Sequence, residues 1–181
     1  MNLYFRLLWT WLRARSKPAI RFGESIELSL RVWPGDLDIN GHMNNGRYMT
    51  ITDLALVEYF TRCGFLGIAL RRGWRPMLGG AMISFRRGLK PFRRYTLRFE
   101  VLAWDERWSY MRFEFQERGR TMAIGHAKGA IVSAKGIVPS ALALAALGQP
   151  DASPAFAPST RKPRGALISA RDRLARAGDC P

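Results

Sequence analysis

Between Glu24 and Trp33 the chain alternates, with Ile26, Leu28 and Leu30 on one side and Glu27, Ser29 and Arg31 on the other. Period two marks a half-buried strand. From Tyr48 to Gly64 the run YMTITDLALVEYFTRCG instead places Met49, Leu54, Val57, Phe60 and Thr61 near one face of a helix, with Gly64 as its stop. A Gly- and Arg-rich connection leads to four more strand-like runs: AMISFRRGLKPF, YTLRFEVLAW, WSYMRFEFQE and TMAIGHAKGAIVSA. Pro91, Asp105-Glu106 and Gly119 separate them at the spacing of an antiparallel meander. Leu97, Phe99 and Val101 share a face, as do Met111, Phe113 and Phe115, and the long helix is the natural partner for both. The face of Ala123, Gly125, Ala127 and Gly129 is nearly bare, which predicts close approach of a helix or a second sheet. The expected class is α+β, a curved antiparallel sheet wrapped around one long helix.

Both ends differ from this middle. Residues 1–22 read as a basic amphipathic helix, with Tyr4, Leu7, Leu8, Trp11 and Leu12 on one face. It is too short, and too interrupted by Arg6, to span a bilayer, and no cleavage site of small residues follows it. Two readings stay open: a peripheral membrane contact through residues 1–15, or a helix docked on its own domain or a second subunit. From residue 149 the chain is rich in Pro, Ala and Ser without a period, the composition of a flexible tail that ends in a short basic helix. The expected organisation is therefore 1–22, 23–148 and 149–181.

The formal charge of +15 points to anionic company: nucleic acid, an acidic membrane face or a phosphate-bearing ligand. Nucleic acid is set aside because the aromatics fall at core-facing positions and no nucleic-acid motif appears. Cys63 and Cys180 match no disulfide framework or metal spacing, so a reducing compartment, the cytoplasm or the inner face of its membrane, is expected.

The chemistry is concentrated in one segment, GDLDINGHMNNGRY, residues 35–48. Placed between the first strand and the helix, it puts Asn44, Asn45 and Gly46 at the helix start, where unpaired N–H groups and the dipole favour an oxyanion. Gly41 and Gly46 let backbone approach a ligand. A carboxylate beside such a site has two uses in acyl transfer, attack on the carbonyl or activation of a water, and neither needs a metal or cofactor.

The pattern Asp36-x-Asp38-x-x-Gly41-His42-x-Asn44-Asn45-x-x-Tyr48 resembles the signature loop of hotdog thioesterases of the 4-hydroxybenzoyl-CoA thioesterase-like group. The fuller string DLDINGHMNNGRYM, with ISFRRGLKPF after it, is similar to the thioesterase superfamily member six-like branch. The resemblance spans roughly residues 24–140 and implies a hotdog fold, hydrolysis of a fatty or aromatic acyl thioester, a homodimer or dimer of dimers with the site at the subunit interface, and Asp38 as the catalytic carboxylate. It also implies that an N–H around Asn44 to Gly46 polarises the carbonyl and that the acyl chain runs along the helix.

Each residue also has a plainer role. Asp36 more often shapes such a turn than acts in chemistry; His42 is as much a structural hydrogen-bonder as an orienting group; Asn44 and Asn45 cap the helix. Gly41, Gly46 and Tyr48 complete the supporting set, Asp53 is the reserve carboxylate on the helix beside Glu58, and His126 reads as structural. Arg86, Arg87, Lys90, Arg93 and Arg94 suit a rim for the phosphates of coenzyme A, which enters as part of the substrate, and a basic surface suits acyl carrier protein equally. A catalytically weak membrane-surface protein that binds acyl or lipid ligands is the alternative. A dehydratase is disfavoured because His42 lies in the wrong sequence context.

Overall fold

The computed structural model describes residues 3–149; apart from Gln149, the expected tail lies outside them. The elements are α1 (Leu3–Ala14), β1 (Ile26–Arg31), α2 (Asn45–Arg62), α3 (Phe65–Arg72), β2 (Arg75–Phe85), β3 (Arg94–Trp104), β4 (Ser109–Glu117), β5 (Arg120–Ser133), β6 (Gly136–Val138) and α4 (Ser140–Ala146). The strands form one antiparallel sheet in the order β1-β3-β4-β5-β2, with β6 added to β5. The meander expected from spacing is thus real only for β3, β4 and β5. β2 crosses to the far side and pairs with β5, so the connection from β2 to β3 spans the sheet.

This is a hotdog fold, with α2 as the enclosed helix. Its buried face is Tyr48, Ile51, Leu54, Ala55 and Tyr59, with Thr52 and Glu58 beside it. The expected face is rotated: Leu54 is buried, whereas Met49, Val57, Phe60 and Thr61 lie at its flanks. The aromatic rings set the rotation. Tyr48 packs edge-on to Phe115 and Phe85, and Tyr59 to Phe99. On the sheet side, Leu97, Phe99, Val101, Met111, Phe113 and Phe115 are buried together as their alternation requires.

Three boundaries differ from expectation. The Gly- and Arg-rich connection contains α3, which starts after Gly64 at φ 80° and stops at Gly73 at φ 66°, so two left-handed glycines frame eight helical residues. β2 begins at Arg75 and ends at Phe85, short of the basic run. β6 and α4 fill residues that carried no expected element.

The bare face of β5 makes room for neighbours in its own sheet instead of a helix or a second sheet. A methyl on Gly125 would stand 2.2 Å from the Phe113 ring, and one on Gly129 3.0 Å from Met111. Small residues on one strand are filled by large ones on the next.

α1 lies across α2 with Arg6, Thr10 and Ala14 buried, while Tyr4, Leu8 and Leu12 of the expected apolar face point outward with Phe5 and Trp9. Leu7 and Trp11 are half-buried. Two ion pairs hold it in this orientation: Arg6 to Asp36 at 2.9 Å and Lys17 to Glu58 at 2.6 Å. No helix among the described residues is long and apolar enough to cross a membrane.

Candidate active site

The loop after β1 folds on itself. Leu37 and Met43 form a β-bridge, Asp38 N–H donates to the His42 carbonyl (2.9 Å), and Gly41, at φ 74°, turns the chain between them. Three contacts then moor the loop. Met43 N–H donates to the Leu89 carbonyl, Asn44 N–H donates to the Asp36 carbonyl, and Leu89 N–H donates to the Tyr48 hydroxyl at 3.4 Å. Burial of Tyr48 pushes its pKa up, the Leu89 N–H works against that, and the charge of nearby Asp38 adds a smaller upward push.

The two acids of the motif have different fates. Asp36, 1% exposed, accepts from Arg6 on both oxygens, from Arg47 Nε and Nη2 on Oδ1, and from Trp33 N–H on Oδ2. Sealed by two guanidinium groups, it ties the loop to α1 and to the first turn of α2. Asp38, 24% exposed, uses Oδ1 to accept from Asn40 N–H (2.9 Å) and His42 N–H (3.4 Å). Its other oxygen has no partner among the described residues. His42, 46% exposed, places Nδ1 3.9 Å from Asp38 Oδ1, beyond hydrogen-bond reach.

At the start of α2 the amides are nearly all taken. Asn44 N–H serves Asp36, Gly46 N–H donates to the Asn44 side chain at 2.8 Å, and Arg47 N–H donates to the Asn44 carbonyl. Of the three amides expected to meet an oxyanion, only that of Asn45 has no partner among the described residues. Asn44 caps the helix; Asn45 is its first residue and is exposed.

Further along α2, an apolar cavity of about 220 Å³ lies among α2, α3, α4 and the sheet, lined by Leu56, Phe60, Met77, Val101, Met111 and Leu144 among others. Asp53 stands at its mouth, open to solvent on one side and facing apolar walls that raise its pKa. Glu58 is buried and committed to Lys17 and Arg62, so it has no place in this cavity.

The basic rim divides. Gly88 packs against His42 and the Leu89 carbonyl accepts from Met43 N–H, so the backbone segment that carries Arg86, Arg87 and Lys90 runs beside the loop. Arg93 pairs with Glu117 at 3.6 Å, and Arg94 opens into a separate groove beside α1. His126 lies in mid-sheet, where burial first and then Arg112 lower its pKa, a structural position. Among the described residues, no three His, Cys, Asp or Glu side chains converge as a metal would require. Cys63 ends α2 with its thiol pushed up to about 11 by burial; Cys180 lies outside the described residues.

Sequence reasoning missed Arg6 and Arg47 as the clamp on Asp36. The only signal was Arg6 interrupting an otherwise apolar helix face. It also missed the cavity, because α4, which closes it, was not foreseen.

A family model described as the thioesterase-like superfamily matches residues 32–159. The chain belongs to this superfamily. Protein THEM6 of Xenopus laevis is 32% identical over 105 residues, 58% of this chain and 51% of the frog protein. Thioesterase poxG of Penicillium oxalicum is 34% identical over 98 residues, 46% of this chain and 32% of the fungal one. The chain therefore aligns with about half or less of these superfamily relatives. A solved gentisyl-coenzyme A thioesterase superposes with a TM-score of 0.59 at 22% identity, covering 63% of this chain and 94% of its own. The DHNA-CoA thioesterase of Staphylococcus aureus superposes at 0.60 and 12% identity, with 65% of this chain and 81% of its own covered.

Proposed function

We propose that this superfamily member hydrolyses an acyl-CoA thioester, with Asp38 as the catalytic carboxylate and no cofactor. The observation that carries the reading is a pair of groups with no partner among the described residues where the loop enters α2, one oxygen of Asp38 and the backbone N–H of Asn45, beside neighbouring loop amides that are bonded. The thioester carbonyl oxygen accepts from Asn45 at the positive end of α2, where negative charge developing in the transition state is stabilised. Asp38 then attacks the carbonyl carbon, expelling the thiolate and leaving an anhydride that water cleaves, or it takes the proton of an attacking water. Both routes give free acid and thiol. His42 flanks Asp38 on the substrate-facing loop, and Asp36 holds the loop. Arg86, Arg87 and Lys90 face the phosphates of coenzyme A, and an acidic carrier protein would meet the same cations.

The acyl group takes the apolar cavity. Pro76, Met77 and Leu78 of β2 form one wall of it, and the outer edge of β2 has no strand partner among the described residues and is apolar, with Met77, Leu78, Met82 and Phe85 exposed. An open strand of this length invites a second copy, and we propose a homodimer that closes the cavity across this edge. A peripheral membrane contact through residues 1–15, on the inner face of the cytoplasmic membrane, belongs to the same reading and is supported by the exposed apolar side of α1.

The test is thiol release from short, long and aromatic acyl-CoAs by the wild type and Asp38→Asn. Turnover by the wild type and a loss of at least about a hundredfold in kcat/KM support the assignment. Absence of turnover on every acyl-CoA and every acyl carrier protein thioester overturns it and favours the weak acyl- or lipid-binding alternative.

A further inference from the structure

We propose that the groove between α1 and β1 seats the phosphate of an anionic lipid headgroup while the outer face of α1 lies in the bilayer surface. The inference rests on the membrane contact proposed above and names its chemistry.

α1 is inverted relative to an ordinary surface helix. Tyr4, Phe5, Leu8, Trp9 and Leu12 are exposed by 77, 68, 53, 61 and 46%, and positions 5, 8, 9 and 12 follow one another as a single stripe. The helix is fastened by its polar side: Arg6 to Asp36, Lys17 to Glu58, and Arg62 Nε donating to the Pro18 carbonyl. It cannot roll its apolar face inward without breaking a buried ion pair. α1 lies beside β1, the edge of the sheet opposite β2, so a dimer formed across β2 leaves the stripe uncovered.

Beside the stripe is a polar groove of about 440 Å³ that Trp9 and Trp33 share with Arg13, Arg31 and Arg94. Arg31 and Arg94 stand directly opposite each other in the β1–β3 register. Like charges at such a pair destabilise a sheet unless an anion lies between them. None of the three arginines pairs with an acid among the described residues, and of the two acids in the groove Glu58 is taken by Lys17 and Arg62, leaving Glu27. Apolar and indole side chains at headgroup depth beside unpaired guanidinium groups match a phospholipid surface, in which phosphate lies just above the acyl boundary.

The experiment is co-sedimentation with vesicles of phosphatidylcholine alone and of phosphatidylcholine mixed with phosphatidylglycerol. Wild type should bind the mixed vesicles on the order of tenfold more tightly than the neutral ones. Arg13→Gln with Arg31→Gln should lose on the order of tenfold on the mixed vesicles alone, and Leu8→Ser with Trp9→Ser should lose binding to both. Each double variant should hydrolyse a soluble short acyl-CoA as the wild type does, which separates this test from the thioesterase assignment. Failure of the wild type to bind either vesicle overturns the membrane contact and the groove together. Wild-type binding by the arginine variant overturns the groove and leaves the contact standing. A raised KM for acyl-CoA in that variant, with vesicle binding intact, gives the groove to the soluble ligand and likewise overturns the proposal.

Discussion

Asp36 and Asp38 stand two residues apart in one loop, yet Asp36 is sealed between two arginines while Asp38 is partly exposed and keeps one oxygen without a partner among the described residues. Nothing within the loop makes that division. It comes from Arg6, thirty positions earlier on a helix outside the sheet, and from Arg47 in the first turn of α2. One acid is committed to shape, and its neighbour keeps an oxygen available for the role proposed for it.

The division breaks most visibly at Asp36. Asp36→Ala leaves the buried Arg6 guanidinium without its carboxylate and should cost about 3–5 kcal/mol of stability, read as a lowered midpoint in urea unfolding. Asp38→Asn is the converse. Its amide oxygen still accepts the Asn40 N–H, so the urea midpoint should move by less than about 0.5 kcal/mol of stability while kcat/KM falls by about 2.7 kcal/mol of transition-state stabilisation. Similar losses of stability in both variants would show that the two acids share one structural task.

The contrast extends along α2, from a polar end where bonds are spent to an apolar end where volume is kept. Leu56→Trp, filling the cavity, should shift preference toward shorter acyl groups by about tenfold in kcat/KM, consistent with a few methylenes of lost contact. The smallest effect is expected at Asp53. Apolar walls raise its pKa, so the fold pays to keep it ionised. That penalty is present above the raised folded value and absent below the ordinary carboxylate range, where folded and unfolded chains are both protonated. Asp53→Asn should therefore be mildly stabilising near pH 7 and neutral at low pH, as thermal melts at both conditions would reveal. A large loss of kcat in Asp53→Asn would instead promote it from the cavity mouth to the reaction.

Much of the fold was legible because period two and period 3.6 record burial directly: β1, β3, β4, β5 and α2 lie where the alternation places them. β2 was misplaced because an open edge imposes no alternation, and its exposed apolar residues resemble neither face of a half-buried strand. α3 was hidden because its glycines act as boundaries where composition suggested a loop. The loop motif pointed to the cap at Asn44, which the helix start shows, and nominated Asp38 for the proposed chemistry, but the inversion of α1 depends on an ion pair between elements distant in sequence, which no local period encodes. The surplus of amides at the helix start was likewise narrowed to Asn45 only by hydrogen bonds visible in three dimensions.

The crossover of β2 also bears on the order in which the chain is made. β2 is synthesised before β3, β4 and β5, but its partner is β5, whose last residue paired with β2 is Val132. Until that residue is made, a strand bearing Met77, Leu78, Met82 and Phe85 has both edges open, and after β5 arrives one edge still has no partner among the described residues. The nascent chain is thus most prone to aggregation during the interval when three later strands are emerging, and slower elongation there would lengthen its exposure.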